Sequence, residues 1–481
     1  MQKTQKGLSA WQLTMMALGT VIGGSFFLGS SVAIHAAGPS IIISYILGGI
    51  LVYLILTALS EMTVANPHAG SFRTFSAQVF GPGTGFVVGW VYWTGMVLAM
   101  SSEATAVSIF VREWFPNISI AMLGSGIIIV VTLLNLLGAD KLSKLESGLA
   151  AVKLLAIVGF IVIAFSLISG IFFTETPIGI GEIRNEPFMA GGIKGIAGSM
   201  LIVIFSYAGF EVIGLAASET ADPKKVVPKA IFYTVITLVG LYILSVAVLL
   251  PLIPTASISE DVGPMVAALN RWGMGWAGTA ITVVLITAIL STMLAAMFGI
   301  GRMMRSLADE GFAPSWLKDK NDVPHRGILF SGVAMLLGLG FGFVFPRIYL
   351  FLISSGGFAL LFTYVVIMAT HIRFRKKYGC PPEGCQMPGY PYTSWIALIS
   401  MVVIILSMPL IPGQTSGLVV GAIMTVAYTA IYGVMKYAVR GKERERAGKG
   451  LKDQTYQPSL SVEFSKELVE KEKADQKGEN Q

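Results

Sequence analysis

Apolar residues along this chain come in long runs separated by short polar or charged stretches. Runs of roughly twenty residues, wound as α-helix, match the about 30 Å hydrocarbon core of a bilayer. The pattern predicts twelve spans, at 11–36, 40–60, 84–110, 120–138, 147–172, 193–218, 230–253, 276–300, 328–346, 349–371, 395–411 and 416–437. Two of them are interrupted. The first holds "LGTVIGGSFFLGSS", residues 18–31, dense in glycine and serine. In the sixth, apolar residues up to Phe205 give way to Ser206, Tyr207, Ala208 and Gly209, and Glu211 follows at once. Glycine in a helix interior costs about 1 kcal/mol relative to alanine. A helix that only had to cross the membrane would do better with leucine.

A broken helix inside a bilayer exposes backbone N–H and C=O groups, which is costly unless they face a cavity or a ligand. The N-terminal end of a half-helix favours anions, and exposed carbonyls favour cations. An amino acid carries both charges about one residue apart. The two breaks are therefore expected to bind one together. Its carboxylate is placed at the backbone of Gly23, Gly24 and Ser25, and its ammonium at the carbonyls of Ile22, Phe205 and Tyr207. Close helix packing through small residues is the plainer reading of such glycines, and Gly19 and Gly23 have the spacing for it. Packing alone does not explain why the two interrupted spans lie five apart with an acid beside the second.

Charge placement orients the chain. Of the 34 Lys and Arg residues, 28 fall in segments on the side of the termini, 5 on the opposite side, and Lys153 within a span. Positive residues mark the cytoplasmic side, so both termini are expected in the cytoplasm of a multi-pass cell-membrane protein. This placement accounts for the net charge of +7 without nucleic acid. With 54% hydrophobic and 13% charged residues, and a mean hydropathy of +0.73, the chain is unlike a soluble protein of its length. The apolar run after Lys6 has span length and no cleavage site, so it is expected to stay as a span. Residues 1–437 read as the membrane domain and 438–481 as a charged cytoplasmic tail. Cys380 and Cys385, in an inner loop, read as two thiols in a reducing compartment, with a disulfide or metal pair as the alternative. No catalytic, metal or cofactor motif is present, so neither an enzyme nor a cofactor is expected.

At this point the residues resemble the amino acid permeases of the amino acid–polyamine–organocation superfamily. Ile22 to Gly29 resembles its "IGxGxFxG" motif. "LSEMTVANPHAGSF", "FSYAGFEVIGLAASETADPKKVVPKAI" and "GRMMRSLADEGFAPSWLKDKNDVPHRG" are similar to its later motifs, and "HIRFRKK" ends the tenth span as in the family. The resemblance covers about residues 8–437. It implies an all-α fold of twelve transmembrane helices, with a five-plus-five inverted repeat and discontinuous first and sixth helices. It also implies transport by alternating access. Two departures stand out: Ser25 stands where the family often has glycine, beside Gly24 where it has a small hydroxyl residue or glycine, and Tyr364 stands where many members have tryptophan.

Lys153 is the most informative single residue, since a lysine at mid-helix costs roughly 2.5–3.5 kcal/mol on insertion scales. Burial disfavours the charged form of an amine, which suits a proton carrier. The resemblance agrees: proton-coupled bacterial members hold a fifth-span lysine against the broken first helix. A permanent structural cation on first-helix carbonyls, or a lysine reaching for the inner surface, are the other readings. Glu211 is read as a second proton-coupling residue, as a ligand for an amine, or as a neutral acid that orients and pins the break. Glu103 is read as marking the outer end of the third span rather than facing the vestibule. Glu61 and Glu219 are expected to lock a cytoplasmic gate through loop cations. Phe26, Trp93, Ser206, Tyr207, Gly209 and Ser291 complete the expected pocket. The expected function is import of L-amino acids, neutral ones first, by proton symport. An exchanger, a transport-fold sensor and, less in keeping with the apolar spans, a channel are the competing readings.

Overall fold

The computed structural model describes residues 8–65, 70–171, 177–216, 220, 222–259, 262–319, 323–380 and 387–450. Apart from one isolated bridge between Leu8 and Thr220, the regular structure among them is helical. In order the helices are α1 (Ala10–Val21), α2 (Gly24–Phe27), α3 (Gly29–Ala37), α4 (Ile41–Ala65), α5 (Ser71–Phe80) and α6 (Pro82–Val111). Then come α7 (Ile120–Asn135), α8 (Ala139–Ser169), α9 (Gly192–Ser206), α10 (Val212–Ala216), α11 (Pro223–Leu249) and α12 (Pro264–Arg271). The chain finishes with α13 (Gly275–Asp309), α14 (His325–Gly342), α15 (Ile348–Tyr378), α16 (Tyr392–Ser407) and α17 (Gln414–Gly450). The chain divides into one unit over Met1–Thr429 and another over Ala430–Gln481.

By length and apolarity, nine helical stretches among the described residues can cross a membrane, and Ile120–Asn135 and Gly192–Ser206 are apolar but shorter. The count differs from twelve for a physical reason. The first and sixth spans are cut into pieces, and Gly24–Ala65 runs on from the second piece of the first span through the whole of the next. The first cut falls between α1 and α2, the second between α9 and α10.

The packing repeats itself five spans on. α4 lies on α9 as α11 lies on α1; α6 lies on α15 as α13 lies on α8. Likewise α6 contacts α7 and α14 where α13 contacts α14 and α7. α6 and α15 are apolar and buried along most of their length, so they form the centre. Outward-facing Leu133, Leu155, Val162, Phe165, Leu337 and Leu406 are large, apolar and exposed, the surface expected to meet lipid rather than water.

Local chemistry sets the helix starts and the first break. Ser9 caps α1 in a reciprocal pair with Gln12: the Gln12 N–H donates to Ser9 Oγ at 3.3 Å, and the Ser9 N–H to Gln12 Oε1 at 2.9 Å. α1 stops because Ile22 (φ −75°, ψ 99°) and Gly23 (φ −140°, ψ −166°) are extended. Two extended residues leave the N–H groups of the next helix start without an intrahelical acceptor. Leu28, between α2 and α3, keeps a right-handed helical conformation, so the two run on with only a hitch.

Candidate functional site

The two breaks face one cavity of about 70 Å³. Thr20, Val21 and Ser25 come from the first break, and Phe205, Ala208, Gly209 and Glu211 from the second. α6 adds Tyr92, Met96 and Glu103, and α13 adds Thr292. The breaks also hold each other directly. Thr20 Oγ1 donates to the Gly209 carbonyl at 3.2 Å, and Ser206 Oγ to the Ser25 carbonyl at 3.2 Å.

Each half of the first break is paired with a charge of the sign that its dipole favours. The Gly24 N–H donates to Glu103 Oε2 at 2.7 Å and the Ser25 N–H to Glu103 Oε1 at 3.4 Å. At the carbonyl end of α1, Lys153 Nζ donates to the Gly19 carbonyl at 2.5 Å and to Thr292 Oγ1 at 2.8 Å. Thr292 Oγ1 in turn donates to the Ile22 carbonyl at 2.9 Å. Lys153 is fully buried and Glu103 nearly so. A side chain on Gly24 would place its Cβ 2.6 Å from Glu103 Oε2, so the missing side chain is what lets the carboxylate in.

The second break is pinned by Glu211, which accepts from Tyr92 OH at 3.1 Å, Tyr364 OH at 3.3 Å and the Gly209 N–H at 3.1 Å. Aromatic rings hold its other flank. Tyr242 OH donates to the Ser206 carbonyl at 3.1 Å, Tyr207 OH to the Tyr45 carbonyl at 3.2 Å, and Phe26 stacks on Tyr242 at 3.8 Å between centroids. Towards one face, the buried Arg73 of α5 closes the structure. It pairs with Glu310 just past the end of α13 and donates to Ser306 Oγ at 2.9 Å. On the same face Glu61 of α4 takes Arg375 at 3.1 Å, His371 at 3.3 Å and the Met387 N–H at 3.2 Å. Towards the other face lies a hollow of about 470 Å³ lined by Arg112, Glu113, Arg347 and Tyr349 among others. Tyr349 OH reaches the Gly24 carbonyl at 3.3 Å, linking that hollow to the break.

The family model for amino acid permeases matches residues 12–446. The chain belongs to the amino acid permease family. The permease is 32% identical to the Bacillus subtilis amino acid permease YvbW, over 92% of this chain and 99% of that one. It is 30% identical to the gamma-aminobutyric acid permease of Bacillus subtilis, over 88% and 91%. To the aromatic amino acid transport protein AroP of Escherichia coli K12 it is 31% identical, over 86% and 92%. Among solved structures it resembles a manganese transporter of Eremococcus coleocola, with a TM-score of 0.53 and 12% identity, over 91% of this chain and 95% of that one. At that identity the likeness concerns the fold. Membership makes the permease a multi-pass membrane transporter with amino acids as its class of cargo.

Of the residues singled out from the sequence, Ser25, Phe205, Gly209 and Glu211 line the cavity of the permease. Ile22, Gly23 and Gly24 form the break beside it, and Lys153 reaches that break from α8. Phe26, Ser206 and Tyr207 brace the breaks from behind. Trp93 and Ser291 are not brought to the cavity. Trp93 turns to α14, where its Nε1 donates to Ser331 Oγ at 2.9 Å and its ring stacks on Phe330. The neighbours Tyr92 and Thr292 take the places expected of them. One step along a helix turns the side chain by about 100°, so an error of one residue points it elsewhere. Glu103 does not mark the outer end of its helix: it sits on the first break, eight residues before α6 ends at Val111. Glu61 draws Arg375 and His371 from α15 rather than from a loop. Glu219 lies outside the described residues. Cys380 is disulfide-bonded rather than a free thiol. The Arg73–Glu310 pair was missed, and only its opposite charges on one face could have signalled it.

Proposed function

We propose that the permease carries neutral L-amino acids by alternating access in symport with protons. One observation supports this above the others. The first break bears amides that hold the Glu103 carboxylate and carbonyls that hold the Lys153 ammonium, beside a cavity shared with the second break. An amino acid zwitterion needs that pair of environments. Its carboxylate would take the amides of Gly24 and Ser25, and its ammonium the carbonyls of the breaks, with Phe205 and Gly209 as walls. Lys153 would exchange the coupled proton, since it is a buried cation lying on a carbonyl of the first break that the transport cycle must rearrange. Glu211, tied to Tyr92 and Tyr364, would answer to the same cycle. The names of the gamma-aminobutyric acid and aromatic amino acid relatives favour cargo with no net charge. The lysine and arginine bias supports cytoplasmic termini in a cell membrane, with 438–481 as a cytoplasmic tail.

The test is uptake into proteoliposomes. Radiolabelled neutral amino acids should accumulate with an inward proton gradient and without sodium. The amide and N-acetyl forms of the accepted amino acid should compete at least tenfold worse, because each leaves one end of the site unpaired at about 1–3 kcal/mol or more. Accumulation driven by sodium alone would refute the symport. Binding without release on the far side would make the chain a sensor.

A further inference from the structure

The amides expected to receive a substrate carboxylate already hold one. Glu103 sits on the N–H groups of Gly24 and Ser25 and also lines the cavity from which a substrate would approach. Two carboxylates cannot share these two donors, and like charges at one site disfavour ionisation of both. We propose that Glu103 is a tethered occupant of the substrate's carboxylate seat, and that it yields the seat by taking up a proton. This rests on the reading of the Gly24 and Ser25 amides as that seat.

The step balances. Before binding, the site holds ionised Glu103 on two amides. On binding, the substrate carboxylate accepts both N–H bonds, and Glu103 swings off carrying one proton drawn from the side of entry. The local charge is unchanged apart from the substrate's own ammonium. On release, Glu103 gives the proton up on the far side and reclaims the amides, which are never left bare. The tether thus ties one proton to each amino acid, carried on Glu103 and relayed through its neighbour Lys153, and keeps the empty seat from other small anions.

The surroundings allow the swing. α13 offers Thr292, which stands with Glu103 beside Gly23. Lys153 from α8 acts on Glu103 electrostatically, and Tyr242 from α11 lies close enough to feel the charge of Glu103. Tyr349 from α15 bonds the Gly24 carbonyl. Glu211, engaged by Tyr92 and Tyr364, stands on another wall of the same cavity. α7 has no acid or base, α14 carries His325 and Arg326 only at its start, and Arg73 of α5 is paired with Glu310. The acid therefore answers to one lysine and to whatever occupies the amides.

The experiment measures binding of radiolabelled L-alanine and L-phenylalanine to the purified full chain between pH 5 and 9. In the native protein the dissociation constant should rise about tenfold per pH unit on the alkaline limb, the slope for one linked proton. Adding the bound amino acid to weakly buffered protein at alkaline pH should take up about one proton per site, a reading that needs no variant. Glu103→Gln should bind more tightly at alkaline pH and lose the slope. Glu103→Ala should do the same, and acetate should compete with the amino acid in it but not in the native protein. Native binding with a flat pH profile and no proton uptake overturns the proposal while leaving the carboxylate seat standing. Loss of binding in both variants at every pH also overturns it, since Glu103 would then hold the substrate itself. Failure of both amino acids to bind the native protein overturns the seat and the tether together.

Discussion

Gly209→Ala probes whether the two breaks work as one object. Gly209 has φ +108°, a conformation that residues with a Cβ rarely adopt. An added Cβ would stand 2.9 Å from the Thr20 carbonyl oxygen, 3.1 Å from its carbon and 3.3 Å from Val21 Cα. All three are backbone atoms of α1, so no rotamer change relieves the contact. The dihedral strain costs about 1–3 kcal/mol, and overpacking adds about 1–3 kcal/mol. The sum is about 2–6 kcal/mol, and every 1.4 kcal/mol is about tenfold in an equilibrium. The strain can be relieved only by parting the breaks, which also breaks the Thr20–Gly209 hydrogen bond. The expected result is substrate binding weakened by roughly 30-fold or more, or a clearly lowered melting temperature, in the purified protein. Gly240→Ala is the control: that glycine is exposed on α11 with nothing within 4 Å of an added Cβ. It should gain about 0.5–1 kcal/mol of helix stability. A Gly209→Ala protein that melts and binds like the native one would refute the coupling of the two breaks.

Three further outcomes are expected. Lys153→Ala should abolish accumulation driven by a proton gradient while exchange of labelled for unlabelled amino acid persists, because the Gly19 carbonyl and Thr292 lose a cationic donor; intact accumulation in this variant would clear Lys153 of the role. Gly23→Leu, whose Cβ would stand 3.2 Å from Glu103 Oε1 and from Thr292 Cγ2, should insert and purify normally but bind at least tenfold more weakly; native affinity would move the site away from the first break. Arg73→Ala should loosen the closure made with Glu310 and Ser306. With Cys380 and Cys385 replaced, a cysteine at the cavity residue Gly299 should then react faster with an impermeant maleimide applied at that face, and an unchanged rate would show that Arg73 is no gate.

Much of this protein was legible along the chain. Apolar runs of span length, glycine and serine where a helix should be continuous, and a lone lysine in hydrocarbon each carry a cost that the fold must offset. Those costs are local, so one sequence reveals them: the spans, the two breaks five apart, and Lys153 and Glu211 as the ionisable residues that the fold brings to those breaks. Span counting was less secure, because a break leaves pieces too short to register by length, as α1 and α9 are. Which side chain faces the cavity depended on helix rotation and on partners far away in the chain. Glu103 meets Gly24 across 79 positions, Lys153 meets Gly19 across 134, and Arg73 meets Glu310 across 237. Periodicity along the apolar helices α6 and α13 does not distinguish Tyr92 from Trp93 or Thr292 from Ser291. Only the packing of α6, α8 and α13 around the first break decided that a glutamate rests on its amides and a lysine on its carbonyls, because the dipole of a broken helix draws its counter-charges through space and not along the chain.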